Sequence, residues 1–465
     1  MGVAYGGGRA LVTMKHVGLN VAADPLFVAA YTGVKGALVV VLADEPGMSS
    51  SQNEQDNRHY AVAAGVPMLE PSDSQQVYEY LQAAIEFSER WEIPVLFRMT
   101  TRICHSKTVV SPHSFAIPPA KIHYETNIPE RVMIPAHARP AHRRLRRKLD
   151  DIKKWNETSP LNQMIQGENS LGIISSGVAF MHAREAAPNA SFLKLALTHP
   201  LPLERIKRFV AGVNRCIVIE EGDPYLVDAI RAAGVSVEGK AQRYSFGELN
   251  VTRVRRILKG DDSEEDKMPP GKPPQLCQGC PHSHVFEVLN KLNCIVSGDI
   301  GCYTLGALPP YQALHFQTCM GASIGMGLGL RHVLPEDQAR KIVSVIGDST
   351  FVHSGLTGLA EMIYNPPATG HVLIIMDNQT TAMTGMQEHP GTGRTLDHQP
   401  TNKLVLENLV RGMGAARVFV FDPVKEKDRL EQTLSESLGG NELTVIITRR
   451  TCLLAAKKIR QFEAT

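Results

Sequence analysis

Two apolar segments of the chain each lead directly into a cluster of polar residues. Residues 342–346 are followed by Gly347-Asp348-Ser349-Thr350, and residues 372–376 are followed by Asp377-Asn378-Gln379-Thr380. Short continuous apolar runs bounded by turn residues are typical of buried parallel strands. Open parallel sheets bind ligands beyond the carboxyl ends of their strands, so both polar clusters are predicted to lie at one ligand-binding edge.

Strand patterns alternate with helical patterns along most of the chain, which predicts an α/β fold of three doubly wound parallel-sheet domains. The predicted domains cover residues 1–125, 126–260 (beginning with a basic linker helix) and 275–465, and an acidic, proline-rich linker covers 261–274. The predicted strands are 10–14, 37–42, 93–98, 171–177, 192–197, 216–220, 342–346, 372–376, 416–420 and 443–447, and predicted helices include 73–91, 178–187 and 203–211.

Composition excludes several classes of protein. The formal net charge of +2 gives no global field for nucleic acid. No apolar run reaches the roughly 20 residues needed to cross a bilayer, and residues 1–9 lack the pattern of a secretory signal. A cytoplasmic protein without a nucleic-acid or membrane partner is therefore expected. The basic residues between 139 and 154 predict a solvated helix, with an anionic partner surface as the alternative.

The two polar clusters carry the oxygen ligands that Mg²⁺ prefers and usually shares with phosphates. The predicted Mg²⁺ ligands are Asp348, Asn378 and the Thr380 carbonyl, and the predicted diphosphate contacts are Gly347, Ser349 and Gly385. Glycines let the backbone approach a diphosphate, and a helix after Ser349 would present free amides to it. Gly-Asp followed thirty residues later by Asn, both after buried strands, is the pattern of a thiamine diphosphate site. The alternative is a pair of ordinary strand-to-loop turns.

Eight cysteines occur in the chain, and five of them fall between residues 277 and 319. A C-x-x-C pair with a third cysteine in a Gly-rich loop, beside a thiamine site, favours a redox cluster. The predicted [4Fe-4S] ligands are Cys277, Cys280, Cys302 and, past the last strand, Cys452. Zinc with His282 or His284, a disulfide switch and inert buried thiols remain alternatives. Cys104, Cys216 and Cys294 are predicted to be core residues.

Long motifs give the chain a close resemblance to one family, the alpha (large) subunit of indolepyruvate ferredoxin oxidoreductase. They are residues 10–20 (ALVTMKHVGLN), residues 44–58 (DEPGM followed by SSQNEQDNR), residues 347–355 (GDSTF and HSG) and residues 377–385 (DN and TAMTG). The resemblance covers nearly the whole chain, and it identifies the fold as the thiamine diphosphate-dependent 2-oxoacid oxidoreductase type.

The resemblance implies the domain order: a pyrimidine-binding domain, a transketolase C-terminal-like domain and the diphosphate-binding domain. It implies oxidative decarboxylation of arylpyruvates, chiefly indolepyruvate, to the aryl-acetyl-CoA, with CoA as co-substrate and ferredoxin as electron acceptor. A smaller beta subunit would complete the enzyme, with a homodimer of this chain inside a heterotetramer.

Further site residues follow from the resemblance. Gly301, Met320 and Gly321 are expected beside the cofactor, and His16, Arg58 and His353 are candidates for substrate or proton contacts. For these three the alternative is that they satisfy backbone groups in packed loops.

Two departures from the family pattern affect the expected function. Relatives carry a cofactor-activating glutamate upstream of Met1 and a C-terminal ferredoxin-like domain, so this chain is expected to be truncated at its N-terminus and to lack that domain. The other functions considered are a non-redox thiamine diphosphate 2-oxoacid decarboxylase, a catalytically incomplete subunit that binds the cofactor only, and a zinc-bearing structural or interaction subunit.

Overall fold

The computed structural model describes residues 1–114, 119–265 and 273–463. The chain forms two compact units, Met1–Asp266 (unit 1) and Lys267–Thr465 (unit 2). Unit 1 contains two β-sheets and unit 2 contains one. Helices connect the mostly parallel strands throughout, so the predicted α/β fold class is confirmed.

Unit 1 alternates strands and helices along its length. Its strands are β1 (Arg9–Lys15), β2 (Ala37–Asp44), β3 (Met68–Leu69), β4 (Val95–Thr100), β5 (Gln163–Ile165), β6 (Glu168–Ser176), β7 (Ala190–Leu195), β8 (Leu197–His199) and β9 (Cys216–Ile219). Its helices are α1 (Gly2–Tyr5), α2 (His16–Thr32), α3 (Arg58–Ala64), α4 (Ser74–Trp91), α5 (Thr101–His105), α6 (Ile128–Arg131), α7 (Pro135–Asn156), α8 (Gly177–Ala186), α9 (Leu203–Ala211), α10 (Tyr225–Ala232) and α11 (Val251–Leu258).

The sheets of unit 1 are mainly parallel. The first has the order β1-β2-β4-β3-β8, with only the β3–β8 pair antiparallel. The second has the order β5-β7-β6-β9, with only the β5–β7 pair antiparallel. The central strands are apolar on both faces because helices cover both, as expected for parallel sheets.

Two helices of unit 1 show how local sequence sets the elements. Helix α4 begins where the Asp73 carboxylate accepts a hydrogen bond from the Gln76 amide at 2.8 Å. It buries Tyr80 and Phe87 toward the core. Helix α7 is the predicted basic helix; its Leu145 and other apolar residues are buried, while its arginines lie on the exposed side.

Unit 2 is built on a single parallel sheet with the order β10-β11-β12-β14-β13. Its strands are β10 (Ile295–Ser297), β11 (Ile342–Gly347), β12 (His371–Asp377), β13 (Arg417–Phe421) and β14 (Leu443–Arg449). Its helices are α12 (Pro281–Lys291), α13 (Ala322–Val333), α14 (Glu336–Ala339), α15 (Asp348–Thr350), α16 (Leu356–Tyr364), α17 (Leu406–Gly412), α18 (Lys427–Gly439) and α19 (Ala456–Glu463).

Alternate residues of the central strands in unit 2 pack on opposite faces of the sheet. Val345 and Ile374 belong to a cluster with α12 and α18, while Ile346 and Ile375 belong to one with α13, α16 and α17. Every residue of β11 and β12 is buried. Burying each Val or Ile side chain contributes about 1.5–3 kcal/mol, so these two strands are a rigid base for the loops that follow them.

Some sequence expectations differ from the structure or fall outside it. Cys104 was expected in the core but is exposed, because it lies on the short helix α5 rather than in a strand; Cys216 and Cys294 are buried as predicted. Residues 266–272 of the predicted 261–274 linker lie outside the described residues. Within the described part of the chain, each helix is too short or too polar to span a bilayer.

Candidate functional site

A cavity of about 110 Å³ lies in unit 2, where β11 and β12 end. Because these neighbouring strands are parallel, both predicted polar clusters reach the same edge of the sheet. Predicted residues that line the cavity are Gly301, Met320, Gly347, Asp348, Ser349, Asn378 and Thr380. Tyr303 and residues 381–384 also line this cavity.

Asp348 and Asn378 are buried and held by backbone amides. The Asp348 carboxylate accepts hydrogen bonds from the Ser349 amide at 2.9 Å and the Gln379 amide at 2.8 Å. The Asn378 side-chain oxygen accepts one from the Thr380 amide at 3.2 Å. The Thr381 hydroxyl donates to the Ser349 hydroxyl at 2.8 Å, which joins the two loops. Each oxygen keeps lone pairs for a hard cation.

The helix expected after Ser349 begins at Asp348 but is interrupted. After α15 a π-helical turn, Phe351–Gly355, precedes α16. Such turns are frequent at functional sites. His353 lies in this turn and is exposed, and it is not among the residues that line the cavity. Its catalytic role stays a prediction.

Tyr303 explains two of the glycines. A Cβ atom added at Gly301 would lie 2.5 Å from its ring, and one at Gly347 would lie 2.7 Å from it. Close approach to a diphosphate was the expected reason for glycine at position 347, whereas the structure shows packing against this ring. The Tyr303 hydroxyl donates a hydrogen bond to the Ile300 carbonyl at 3.0 Å, and this bond holds the ring in the wall of the cavity.

Gly321 and Gly385 do not line the cavity; both hold turns that frame it. Gly321 has φ +90°, and a Cβ there would lie 2.7 Å from the Ser354 carbonyl oxygen. The buried Asp299 carboxylate accepts from the Gly321 amide at 3.0 Å and the Ser323 amide at 3.1 Å, at the start of α13. Gly385 has φ +125° in the turn that pairs Thr381 with Gln387. Only glycine adopts such a φ freely.

Two histidines that were not predicted as cofactor-site residues flank the candidate metal ligands. His389 is buried, and its Nε2 lies 3.3 Å from an Asp348 oxygen. His282 is also buried, and its Nε2 lies 3.4 Å from the Asn378 side-chain nitrogen. Burial lowers the pKa of His282 to about 4, so this ring is neutral. Residue spacing gives no signal for either contact, since both depend on how distant loops pack.

The segment after β14 runs beside the end of β12. The Cys452 amide donates to the Asn378 carbonyl at 3.0 Å, and the Arg450 amide donates to the Asp377 carbonyl at 3.0 Å. The Arg449 side chain donates a hydrogen bond to the Asp377 carboxylate at 2.6 Å and forms a bidentate ion pair with Glu407. These contacts fix the backbone of the Asn378 loop.

The four cysteines predicted as cluster ligands line one cavity of about 260 Å³ in unit 2. Burial, and then the neighbouring thiols of Cys280, Cys452 and Cys277, raise the pKa of Cys302 to about 11. Cys280 is the N-cap residue of α12, and burial raises the pKa of its thiol, although the His282 and Ser283 amides act to lower it. The structure thus brings together cysteines that are up to 175 positions apart in sequence.

The cysteine cavity adjoins the polar one. Cys302, Asn378, Ala382 and Met383 line both. As the side chains stand, the described residues hold no group of three His, Cys, Asp or Glu close enough for a metal ion. Of the histidines considered for zinc, His282 contacts Asn378, and His284 lies 3.7 Å from Glu287 on the surface of α12.

His16 and Arg58 both belong to unit 1. His16 starts α2, is fully buried, and its Nε2 contacts the Asn53 carbonyl at 3.0 Å. Arg58 starts α3 and is also fully buried. These positions fit the alternative of packed polar residues, and the catalytic roles of both stay predictions.

Arg58 is the centre of a buried ion network in unit 1. Its guanidinium pairs with Asp56 and, at 2.6 Å, with Glu220, and it also donates to the Glu221 and Asp223 carbonyls. Although burial acts to raise it, the guanidinium groups of Arg58 and the nearby Arg98 hold the pKa of Asp56 below its ordinary value. The two guanidinium groups therefore favour the charged form of Asp56, whereas burial raises the pKa of Glu220 against the opposing effect of Arg58.

Arg58→Met is expected to destabilise unit 1 by about 3–5 kcal/mol, because it removes the cation paired with buried Glu220 and leaves buried Asp56 with only the more distant Arg98. Urea unfolding followed by circular dichroism measures this loss. The control is Lys207→Ala, which removes an exposed pair with Glu204 and is expected to change stability by less than about 0.5 kcal/mol. Equal stability of the two variants would contradict a structural role for Arg58.

Comparison with known families assigns the cavity region. The family described as "Thiamine pyrophosphate enzyme, C-terminal TPP binding domain" matches residues 299–448. This range begins at the Asp299 turn and ends in β14, so it contains the lining residues of the 110 Å³ cavity.

Comparison with curated proteins extends the match to the whole chain. The indolepyruvate oxidoreductase subunit IorA of Archaeoglobus fulgidus is 38% identical over 100% of this chain and 78% of its own length. That of Methanothermobacter marburgensis is 37% identical over 98% and 78%, and that of Pyrococcus horikoshii is 35% identical over 98% and 76%.

Among solved structures, a 2-oxoglutarate:ferredoxin oxidoreductase from Magnetococcus marinus has a TM-score of 0.43 at 16% identity, covering 56% of this chain and 54% of that one. A solved structure of a protein from Mycobacterium smegmatis has a TM-score of 0.29 at 16% identity, covering 97% of this chain and 89% of that one. Likenesses of this size carry no argument. Six curated relatives share 34–38% identity with this chain over nearly its full length. The chain therefore belongs to the family of indolepyruvate oxidoreductase IorA subunits.

Proposed function

We propose that this chain is the cofactor-binding subunit of an enzyme that oxidatively decarboxylates arylpyruvates, chiefly indolepyruvate. The products would be the aryl-acetyl-CoA and carbon dioxide, with electrons passed to ferredoxin. Membership of the IorA family supports oxidoreduction of 2-oxo acids with thiamine diphosphate. The single observation that carries the proposal is the meeting of Asp348 and Asn378 at the ends of adjacent buried strands, within the matched domain.

The residues of the polar cavity fit thiamine diphosphate with Mg²⁺. Asp348, Asn378 and the Thr380 carbonyl would hold the metal, and Ser349 would contact the diphosphate. His389 Nε2 is a buried polar atom near these ligands. Among the described residues it has no aligned hydrogen-bond partner, although an Asp348 oxygen lies 3.3 Å away. When bound, thiamine diphosphate supplies a carbon nucleophile and an electron sink for decarboxylation. The chain's part is to anchor the charged end and exclude water from the buried loops.

The cysteine cavity fits a [4Fe-4S] cluster by the chemistry of its donors, since four thiols line one space. Cys277, Cys280, Cys302 and Cys452 would be the ligands. The wall shared with the polar cavity supports a short route for single electrons from the thiamine site. Such a route is what an oxidative, rather than non-redox, decarboxylase requires.

The domain assignments are also part of the proposal. Residues 1–125 would be the pyrimidine-binding-type domain, 126–260 the linker helix and transketolase C-terminal-like domain, and 275–465 the diphosphate-binding domain. The name of the relatives implies a second subunit. We propose a beta subunit that completes the enzyme, a homodimer of this chain within a heterotetramer, ferredoxin as the acceptor and CoA as the acyl acceptor. A cytoplasmic location remains a prediction.

The proposal is tested with the chain co-purified, without oxygen, with its beta subunit. Titration calorimetry should show thiamine diphosphate binding that needs Mg²⁺, and indolepyruvate with CoA should reduce an added ferredoxin. Carbon dioxide release without reduction of the acceptor, from protein that contains no iron, would favour a non-redox decarboxylase. Cofactor binding without turnover would favour a catalytically incomplete subunit, and absence of cofactor binding would favour a structural or interaction subunit.

A further inference from the structure

Asp348 and Asn378, the two candidate metal ligands with side-chain oxygens, are each in contact with a buried histidine from a distant part of the chain. His389 comes from the loop that follows the Asn378 turn, and His282 from the first turn of α12. Both are more than nine-tenths buried. Neither belongs to the ligand set proposed above, so their presence needs its own explanation.

The hydrogen positions on His389 follow from its contacts. The Gly391 amide donates to Nδ1 at 3.2 Å, so Nδ1 acts as an acceptor and carries no hydrogen. The hydrogen of the neutral ring therefore sits on Nε2, which is 3.3 Å from the Asp348 oxygen. Each of the two Asp348 carboxylate oxygens also accepts a hydrogen bond from one backbone amide, that of Ser349 or that of Gln379. His389 thus presents an N–H to the same Asp348 oxygen that accepts the hydrogen bond of the Gln379 amide.

The orientation of the Asn378 amide follows in the same way. The Thr380 amide donates to one end of the Asn378 side chain at 3.2 Å, so that end must be the oxygen. The nitrogen then faces His282 Nε2 at 3.4 Å. His282 Nε2 must accept this hydrogen bond, which requires a neutral ring with its hydrogen on Nδ1. A flipped amide would set a donor against the Thr380 amide.

We propose that His389 and His282 are positioning residues that hold Asp348 and Asn378 with their oxygens ready for Mg²⁺. The inference rests on the proposed function, because it assigns these residues to the same site. Partners of this kind, one contact behind the ligands, orient ligand oxygens and commonly change metal affinity 10- to 100-fold when removed.

His282 also ties the site to the cysteine cavity. It lies two residues after Cys280, and the Asn378 backbone accepts the Cys452 amide at 3.0 Å. One metal ligand is therefore held, through its side chain and its backbone, by the two segments that carry Cys280 and Cys452. A histidine at this place in the C-x-x-C-P-H segment thus has a positioning role that does not need zinc.

Paired substitutions test the role of each histidine. His389→Met and His282→Met keep the approximate volume but remove the ring nitrogen that faces the ligand side chain, whereas His389→Gln and His282→Gln can place a donor or acceptor where Nε2 lies. The measurement is the Mg²⁺ concentration that half-saturates thiamine diphosphate binding, obtained by titration calorimetry on the chain with its beta subunit. The control is His284→Met, a change on the surface of α12.

We expect the methionine variants to need roughly 10- to 100-fold more Mg²⁺, and the glutamine variants to recover most of the loss. His284→Met should match the unmodified protein. Methionine variants with unchanged Mg²⁺ dependence, or glutamine variants as weak as methionine ones at equal melting temperature, would overturn the inference while leaving the proposed function intact. Failure of the unmodified protein to bind thiamine diphosphate would overturn both.

Discussion

We expect Asp348→Asn to weaken the Mg²⁺-dependent binding of thiamine diphosphate roughly a hundredfold or more. The substitution keeps the size of the side chain and removes its charge, so the metal loses its only anionic ligand from the β11 loop. Loss of one partner of a buried charge pair costs about 3 kcal/mol or more, which is roughly a hundredfold or more in Kd. Titration calorimetry with thiamine diphosphate at saturating Mg²⁺ measures the loss, and turnover of indolepyruvate should fall with it.

The fold is expected to survive this change. Asp348 lies close to Asp377, whose pKa is raised first by burial and then by Asp348, so removing one charge relieves a repulsion between buried carboxylates. The control is Asp397→Asn, the same change at an exposed position in the loop after β12. A folded Asp348→Asn protein that binds the cofactor as well as Asp397→Asn does would refute the assignment of the metal ligand.

Loss of iron is the second large effect, expected for Cys280→Ser and for Cys302→Ser. A serine hydroxyl is a poor ligand for iron–sulfur clusters, so anaerobically purified protein should contain close to no iron or sulfide at this site. Reduction of ferredoxin by indolepyruvate should fall to background. Binding of thiamine diphosphate should remain, because neither cysteine is among the metal or diphosphate ligands of the polar cavity.

Cys319→Ser is the matched control for the cysteine variants. Cys319 is an exposed free thiol in the same unit, and it does not line the cysteine cavity. Its substitution should leave the iron content unchanged. Iron retained in full by both Cys280→Ser and Cys302→Ser would exclude the cluster proposed here and return the cavity to unligated thiols.

Sequence was informative where local pattern determines structure. The run at 342–346 appears as β11, Ile342–Gly347, because a short segment rich in Val and Ile between turn residues is typical of a strand buried in a covered sheet. The polar residues after it then follow from topology, since neighbouring parallel strands deliver their carboxyl ends to one edge. Asp348 and Asn378 could be paired for this reason without knowing the order of the other strands.

Contacts between distant segments could not be read in this way. Arg58 stands in a motif that marks it as functional, but its partner Glu220 lies 162 residues away and makes it the centre of a buried ion network. His389 reaches Asp348 through a loop rich in Gly and Pro, which has no periodicity. Cys104 looked like a core residue by type, yet the short helix α5 leaves it exposed.

The most direct test of the central claim is a crystal structure of the chain, with its beta subunit, containing thiamine diphosphate and Mn²⁺ in place of Mg²⁺. Anomalous scattering locates the metal without reference to the protein. We predict one Mn²⁺ at about 2.0–2.2 Å from side-chain oxygens of Asp348 and Asn378 and from the Thr380 carbonyl oxygen, and also bound to the diphosphate. A diphosphate-bound Mn²⁺ coordinated by other residues would contradict the account.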